Sequence, residues 1–272
     1  MKKLLLAAAL AMLASPAFAT LCALGSIGST CTFATDTTGG NALFTNPANL
    51  TNIGSGVISP FLTTQANGTE GGVSTDDPNS ATLPLDDKRD NQNTFTTTFL
   101  LNQLVSVTIG GTSYYTFLLD INEPNGGTES LLSLDTLRIW GRQGTDGSES
   151  STFMLNSTNV TSLADLDLLP NLQLVYALGP TNNLILDYNL FAGSGIGYDL
   201  SFLIPTSAFA GLAPDSRILF STAFGAINSA GDGFEEWAAV TGAPLITVPE
   251  PATIALLGVA LLGLGVVRLR RA

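Results

Sequence analysis

The sequence contains no histidine and few positive charges. The absence of histidine excludes Ser-His-Asp and Cys-His catalysis, histidine-ligated zinc and the usual proton shuttle near neutral pH. Between residues 20 and 248 there are five basic residues against 21 acidic ones, a formal net charge of −16. A surface this acidic repels nucleic acid and anionic lipid, and it favours cations or uncharged polymers such as polysaccharide. Nucleic acid is therefore not an expected partner.

Cysteine is equally scarce, since the chain has only Cys22 and Cys31. Two cysteines this close together in an exported chain predict a disulfide that closes a short loop, rather than a reactive thiol. The loop-closure estimate for such a bond is about 2–3 kcal/mol of stabilisation.

The first 19 residues have the pattern of a secretory signal peptide. Lys2 and Lys3 precede an apolar stretch from Leu4 to Leu13, and Ala17-Phe18-Ala19 forms a small-x-small cleavage site. Signal peptidase is therefore the expected first partner, and we expect it to cut after Ala19.

The other end of the chain combines three features. Pro249-Glu250-Pro251 cannot lie within a helix, because each proline lacks an amide donor and restricts the preceding residue. The apolar run Ala252–Val267 follows, and as a helix it is about 24 Å long, against about 30 Å for a hydrocarbon core. The run ends in a basic flank that predicts a cytoplasmic C-terminus, formed by Arg268, Arg270 and Arg271.

In order and spacing, this tail resembles the PEP-CTERM sorting signal of Gram-negative bacteria. The resemblance covers Val248 to Arg271 and includes the glycine-dotted apolar run. It implies recognition by an exosortase, a membrane-embedded cysteine protease, with cleavage near Pro249, Glu250 and Pro251. The alternative is that the apolar run is a permanent single-span anchor, although an anchor does not need a Pro-Glu-Pro step.

The body of the chain predicts an all-β fold. Residues 20–93 are rich in Thr, Asn, Gly and Ser, and the stretch from Asn67 to Asp90 is interpreted as a long loop. From residue 94 to 247, short β-branched and aromatic runs alternate with turn residues, and Gly110-Gly111 predicts a hairpin. We therefore expect an antiparallel, jelly-roll-like β-sandwich at 94–247, and a single apolar helix within the sorting segment 248–272. The predicted strands are 94–100, 104–109, 113–119, 134–140, 152–155, 172–178, 184–190, 198–204, 218–224 and 234–240, with short helical turns at 162–167 and 205–212.

Several acidic and amide residues lie at predicted strand ends, and they suggest a Ca²⁺ site. Hard oxygen ligands gathered at one end of a sandwich suit Ca²⁺, which takes six to eight of them. No EF-hand loop is present, because Pro124 and Leu131 occupy ligand positions of that motif. The alternative is that these residues cap turns without metal. The candidate ligands are Asp120, Asn122, Glu123, Asp135, Asp187, Asp199 and Asp232.

Two other functional classes stay open. Flat aromatic side chains can stack on sugar rings, and the candidates are Tyr114, Tyr115, Trp140, Tyr176, Tyr188 and Trp237. A pair of carboxylates can hydrolyse glycosides without histidine, but no motif singles out an acid or a nucleophile. The favoured hypothesis has no catalytic residue and no cofactor other than Ca²⁺. It is an inner-membrane precursor that is released to the cell surface or extracellular matrix, where it has a structural or adhesive role, with polysaccharide as a candidate partner.

Overall fold

Two β-sheets share one aromatic core. A computed structural model describes residues 20–35, 40–47, 60–74, 76, 97–124, 129–142, 166–169, 172–179, 181–190, 198–231 and 233–242. Within these ranges there are fourteen strands, seven in each sheet. The strands are β1 (Thr20–Ala23), β2 (Thr30–Ala34), β3 (Asn41–Thr45), β4 (Pro60–Thr64), β5 (Glu70–Val73), β6 (Phe99–Leu100), β7 (Ser106–Ile109), β8 (Thr112–Asp120), β9 (Leu131–Arg142), β10 (Leu172–Ala177), β11 (Asn182–Asp187), β12 (Leu200–Pro205), β13 (Arg217–Phe224) and β14 (Glu235–Ala239).

The first sheet is built around β9. Its order is β1-β11-β9-β13-β5, with β10 also beside β9 and β6 also beside β13. The start of β9 pairs with β11 and its end pairs with β10, so these two shorter strands follow one another along the same side of it. Pairing is antiparallel except between β1 and β11, which are parallel.

The second sheet is antiparallel throughout its described strands. Its order is β2-β3-β12-β8-β14-β4, and β7 joins β8 as a hairpin. Gly110 and Gly111 have φ values of 58° and 85°, which a two-residue hairpin turn requires and which glycine adopts without strain. The hairpin predicted at this Gly-Gly step is confirmed.

Aromatic rings from the two sheets meet in the core. Phe220 of β13 lies 4.6 Å from Phe117 of β8 and 4.9 Å from Phe61 of β4, measured between ring centroids. It also lies 5.8 Å from Trp237 of β14, and Tyr176 of β10 lies 5.2 Å from Phe202 of β12. Each such pair adds about 0.5–1.5 kcal/mol beyond the burial of its area. The two sheets therefore pack face to face.

A disulfide links the two sheets at one edge. Cys22 lies in β1 of the first sheet and Cys31 in β2 of the second, with Cα atoms 6.1 Å apart. The intervening loop is held by the buried side chain of Asn46, whose Nδ2 donates to the backbone oxygens of Leu24 at 2.6 Å and Ser26 at 3.1 Å. The bond therefore closes a short loop and also connects the first strands of both sheets.

A second anchor holds together two segments that are distant in sequence. Asp76 accepts hydrogen bonds from the Thr98 backbone N–H at 2.9 Å and the Thr98 hydroxyl at 2.6 Å, and it pairs with Arg217 at 3.2 Å. The side chains of this ion pair are mostly buried. Residues 76 and 98 are thereby fixed to the same point of β13.

The all-β class predicted from the sequence is confirmed, and most strands between 99 and 240 lie within two or three residues of their predicted bounds. Two predictions are wrong in detail. Tyr188–Leu190 form a 3₁₀ turn instead of the end of a strand, and Glu70–Val73 are a strand inside the stretch interpreted as a loop. Leu101–Gln103, between two predicted strands, form another 3₁₀ turn. The helical turn predicted after Pro205 is a 3₁₀ turn, Thr206–Phe209. The strand predicted at 152–155 and the apolar helix of the tail lie outside the described residues.

We expect the double variant Cys22→Ser, Cys31→Ser to lose about 2–3 kcal/mol of unfolding free energy, because the unfolded chain regains the entropy of the open loop. Urea unfolding followed by Trp fluorescence measures the loss. Reducing the wild-type protein should reproduce the variant's midpoint. A wild-type midpoint that is insensitive to reductant would contradict the cross-sheet role of the bond.

Candidate functional site

Carboxyl groups gather where many strands of both sheets end, a region called here the acidic end. In the first sheet, β11 finishes and β9 starts there, and in the second sheet β8 finishes while β12 and β14 start there. Contacts across the two sheets show that these strand ends adjoin. The Tyr188 hydroxyl, after β11, donates to Asn122 Oδ1, after β8, at 3.3 Å.

Three glutamates are buried together at the acidic end. Glu70 of β5, Glu123 after β8 and Glu235 of β14 are 4%, 3% and 1% exposed. Glu70 accepts from the Thr64 hydroxyl at 2.9 Å and the Ala66 backbone N–H at 2.6 Å, while Glu123 accepts from the Gly231 backbone N–H at 2.7 Å. Glu235 lies against both of the other carboxyl groups. This cluster joins the two sheets, because β5 belongs to one and β14 to the other.

Glu235 carries a proton in this cluster. As a carboxylate, neither of its oxygens would receive a well-formed hydrogen bond from any described residue. As an acid, it can donate from one oxygen to the neighbouring carboxyl group of Glu70, which reduces that defect. Burial, then the hydrogen bond to Glu70 and the negative charges of Glu70 and Glu123, raise the pKa of Glu235 to about 11, although the Asn122 backbone N–H opposes this. Burial likewise raises the pKa of Glu123.

A second carboxyl pair lies beside the first. Asp199 is buried, and its Oδ2 accepts from the Ile121 backbone N–H at 2.8 Å. Burial raises the pKa of Asp199 well above its usual range, and the neighbouring Asp120 raises it further. Burial also raises the pKa of Asp120 and of Tyr188, whose phenol faces both aspartates. The uncharged form is therefore favoured more strongly at Asp199 than at Asp120.

The remaining candidate Ca²⁺ ligands cap turns. Asp135 Oδ2 accepts from the Ala226 backbone N–H at 2.7 Å and the Ser133 hydroxyl at 3.0 Å, and burial raises its pKa. Asp187 Oδ1 accepts from the Ser130 hydroxyl at 3.1 Å and the Asn189 backbone N–H at 3.0 Å. Asp232 lies outside the described residues. Across the part of the chain that the structure describes, no group of three or more acidic or cysteine side chains is arranged to hold a metal ion.

A glycine-rich turn closes over the glutamates. A Cβ atom on Gly233 would clash with the backbone oxygen of Asn122, and one on Gly231 would clash with the Glu123 carboxylate and Pro124. Only glycine allows the segment before β14 to lie this close to the segment after β8. The close approach helps to bury Glu123.

The described arginines lie far along the strands from the acidic end. Arg138 pairs with Asp167 at 2.6 Å and lies over the ring of Trp140, whose Nε1 donates to the same carboxylate at 2.9 Å. Arg217 pairs with Asp76, and Arg142 lies at the last position of β9. Within the described ranges, no arginine therefore neutralises the carboxyl groups of the acidic end.

The aromatic residues proposed to stack on sugars are mostly in the core. Trp140, Tyr176 and Trp237 have no exposed surface, and Tyr114 is buried as well. Tyr115 packs edge-on against Phe209, and Tyr188 packs at the rim of the core. The sugar-stacking interpretation is wrong for the four buried residues, because a buried ring cannot offer a face to a ligand. It stays a prediction for Tyr115 and Tyr188, which are half-buried.

The sequence did not single out Glu70 or Glu235. Glu70 lies in a strand that the sequence interpretation took for a loop. Glu235 had a usable signal, because it precedes Trp237 by two positions in an alternating strand and must therefore share the buried face of that tryptophan.

The residues expected to direct processing lie outside the described residues: Ala19, Pro249, Glu250, Pro251, Arg268, Arg270 and Arg271. Among the described residues, no helix is both long enough and apolar enough to cross a membrane.

Comparison with known proteins identifies this tail. The family model of the PEP-CTERM protein-sorting motif matches residues 247–271. The chain therefore carries this sorting motif, which supports an exported, surface-directed protein that an exosortase recognises. Comparison with curated proteins and with solved structures gives no match.

The acidic end predicts that stability falls as the pH rises. The folded pKa of Glu235, about 11, exceeds its ordinary value of 4.5. The contribution of this proton to the unfolding free energy is therefore complete below about pH 4.5 and is lost as the pH rises toward 11. The unfolding free energy should fall by up to about 1.4 kcal/mol per pH unit for one such proton. Thermal melts from about pH 5 to about pH 9 measure the slope.

The variant Glu235→Gln distinguishes the contribution of Glu235 to the pH dependence of stability from the contributions of the other carboxyl groups. The neutral amide keeps a donor toward Glu70 and takes up no proton, so the variant should show a flatter pH profile and a higher relative stability at alkaline pH. Glu129→Gln, at an exposed position, is the matched control and should keep the wild-type slope. Equal slopes for both variants would refute the assignment.

Proposed function

We propose that the chain is an exported bacterial protein of the cell surface or extracellular matrix, delivered through its C-terminal sorting motif. Signal peptidase removes residues 1–19, the apolar run Ala252–Val267 holds the precursor in the inner membrane as a helix, and an exosortase cuts near Pro249-Glu250-Pro251. The match of the sorting motif to residues 247–271 carries this proposal. The paired cysteines support it, because structural disulfides persist in oxidising compartments.

The ectodomain in this proposal is a jelly-roll-like β-sandwich with a structural or adhesive role and no catalytic activity. A cross-sheet disulfide and an aromatic core that spans both sheets suit a module that must persist outside the cell. The carboxyl groups at the acidic end support the same interpretation. They are buried and joined to one another and to the backbone, so they serve cohesion between the sheets.

Carbohydrate binding and glycoside hydrolysis are less favoured alternatives. Burial of both tryptophans removes the flattest stacking surfaces from contact with a glycan. Glycoside hydrolysis needs two carboxyl groups on either side of an accessible sugar bond, whereas Glu70, Glu123 and Glu235 are almost fully enclosed. Retardation in a gel of the organism's own polysaccharide, or turnover of a glycan panel, tests these classes.

Ca²⁺ binding is a separate hypothesis with its own test. A ligand that binds only the folded state raises its melting midpoint. Because the described residues form no cluster of three or more carboxyl groups suited to a metal ion, we expect nearly equal midpoints with Ca²⁺ and with chelator. A clear rise with Ca²⁺ would instead assign a metal to this chain.

Processing is tested by changing the Pro-Glu-Pro step. Glu250→Gln, or Pro249→Ala together with Pro251→Ala, should leave a membrane-bound precursor, because recognition depends on that step while the apolar run still holds the chain in the membrane. Fractionation and immunoblotting of cells and medium measure the released form. The expected result is a loss of most released protein with little change in total protein.

The matched control for this experiment is Glu129→Gln, which makes the same chemical change on the ectodomain surface and should be released normally. Normal release of the Glu250→Gln and double-proline variants would reject exosortase processing near this step. The permanent-anchor alternative predicts instead that the wild-type protein itself stays in the membrane fraction with an intact C-terminus.

A further inference from the structure

The β7–β8 hairpin carries an unprotected edge strand. All four residues of β7 are exposed, and β7 pairs with β8 on one side only among the described strands. Natural sheets usually protect such an edge with a charge, a proline or a bulge, because unpaired backbone groups attract another strand. β7 has none of these devices.

The β7 edge lies within an uncharged stretch of an otherwise acidic chain. No charged residue occurs from Asn91 to Leu119, although the chain between residues 20 and 248 has a net charge of −16. Two copies of so acidic a molecule repel one another over most of their surface. Two copies can approach at an uncharged edge with less repulsion than at an acidic surface.

The hairpin register shows which backbone groups face outward. Ile109 and Thr112 flank the two-residue turn and form a hydrogen-bonded pair, and Val107 and Tyr114 form the next such pair. The amide and carbonyl groups of Ser106 and Thr108 therefore point away from β8, toward the open edge. Thr108 Oγ1 lies 3.3 Å from Ser113 Oγ, as expected for the intervening non-hydrogen-bonded pair.

The side chains of this edge add an apolar surface. Val105, Val107 and Ile109 project from the same face of the strand and are 41%, 39% and 49% exposed. In a two-fold antiparallel pairing centred on Val107, Ser106 of each copy lies opposite Thr108 of the other, and Val107 meets its own counterpart. Val105 then lies opposite Ile109, so each apolar side chain of one copy faces an apolar side chain of the other.

We propose that the β7 edge is a self-association site, at which a second copy of this chain adds its own β7 in antiparallel register about Val107. The pairing satisfies the outward backbone groups of Ser106 and Thr108 in both copies and joins two seven-stranded sheets into one. It rests on the described hairpin and on the charge distribution, and it is independent of the sorting of the tail.

Cysteine cross-linking tests both the surface and the register. Both native cysteines are in a disulfide, so an introduced cysteine is the only free thiol. Paired residues at Val107 lie about 4.5 Å apart between Cα atoms, within the range for a disulfide. Residues at Ile109 in the two copies lie about 13 Å apart along the strands, which is too far.

The full-length chain is purified in mild detergent, oxidised mildly and run on non-reducing gels. Val107→Cys should give a covalent dimer, and Ile109→Cys should give about tenfold less of it. The double variant Val105→Cys, Ile109→Cys should cross-link again. Ile227→Cys, an equally exposed position away from the edge, controls for contacts made through the tail or by chance.

Thr108→Pro, made in the Val107→Cys background, removes an outward N–H and should abolish the dimer, while circular dichroism confirms that the sheets remain. Equal dimer from Val107→Cys, Ile109→Cys and Ile227→Cys would overturn the proposed register and the site. A failure of purified Val107→Cys to cross-link would overturn self-association at this edge.

Discussion

The contact of Phe220 with rings from the opposite sheet is the interaction on which the rest of the structure depends. Phe220 lies at the centre of β13 and touches Phe61, Phe117 and Trp237, which come from three strands of the other sheet. The hydrophobic effect drives this packing without directional demands. Because these three partners belong to neighbouring strands, their contact with one ring sets how the sheets face one another. The buried carboxyl groups and the disulfide join the two sheets at the edges of this core.

The cost of the chain's many negative charges depends on whether each carboxyl group is exposed or buried. Negative charge is tolerated on a solvated surface, but buried carboxylates must lose charge or gain a partner. Arg138 and Arg217 serve separate anchors in the first sheet, with Asp167 and Asp76. At the acidic end, where strand ends from both sheets meet, burial instead raises the pKa of Glu235 and of Asp199, which favours their uncharged forms.

Local signals predicted much of the fold, whereas contacts between distant segments did not follow from them. The Gly110-Gly111 turn, the alternating runs and the strands that pack around Phe220 were readable, because period-two patterning and turn chemistry are local properties. β5 was missed because Glu70-Gly71-Gly72-Val73 has little β propensity and forms a strand only through pairing with β13. The grouping of candidate acids at strand ends was foreseen in part. The partnership of Glu235 with Glu70 was not, since it requires a register between strands 165 positions apart in sequence.

The anchor formed by Asp76, Thr98 and Arg217 has a consequence for the engineering of this chain. By fixing residues 76 and 98 side by side on β13, it makes the pairing of β5 and β6 independent of what lies between those residues. Loop-closure entropy grows only slowly with length, so extra residues there cost little. A foreign peptide inserted between residues 76 and 98 should therefore leave the pairing of β5 and β6 with β13 intact.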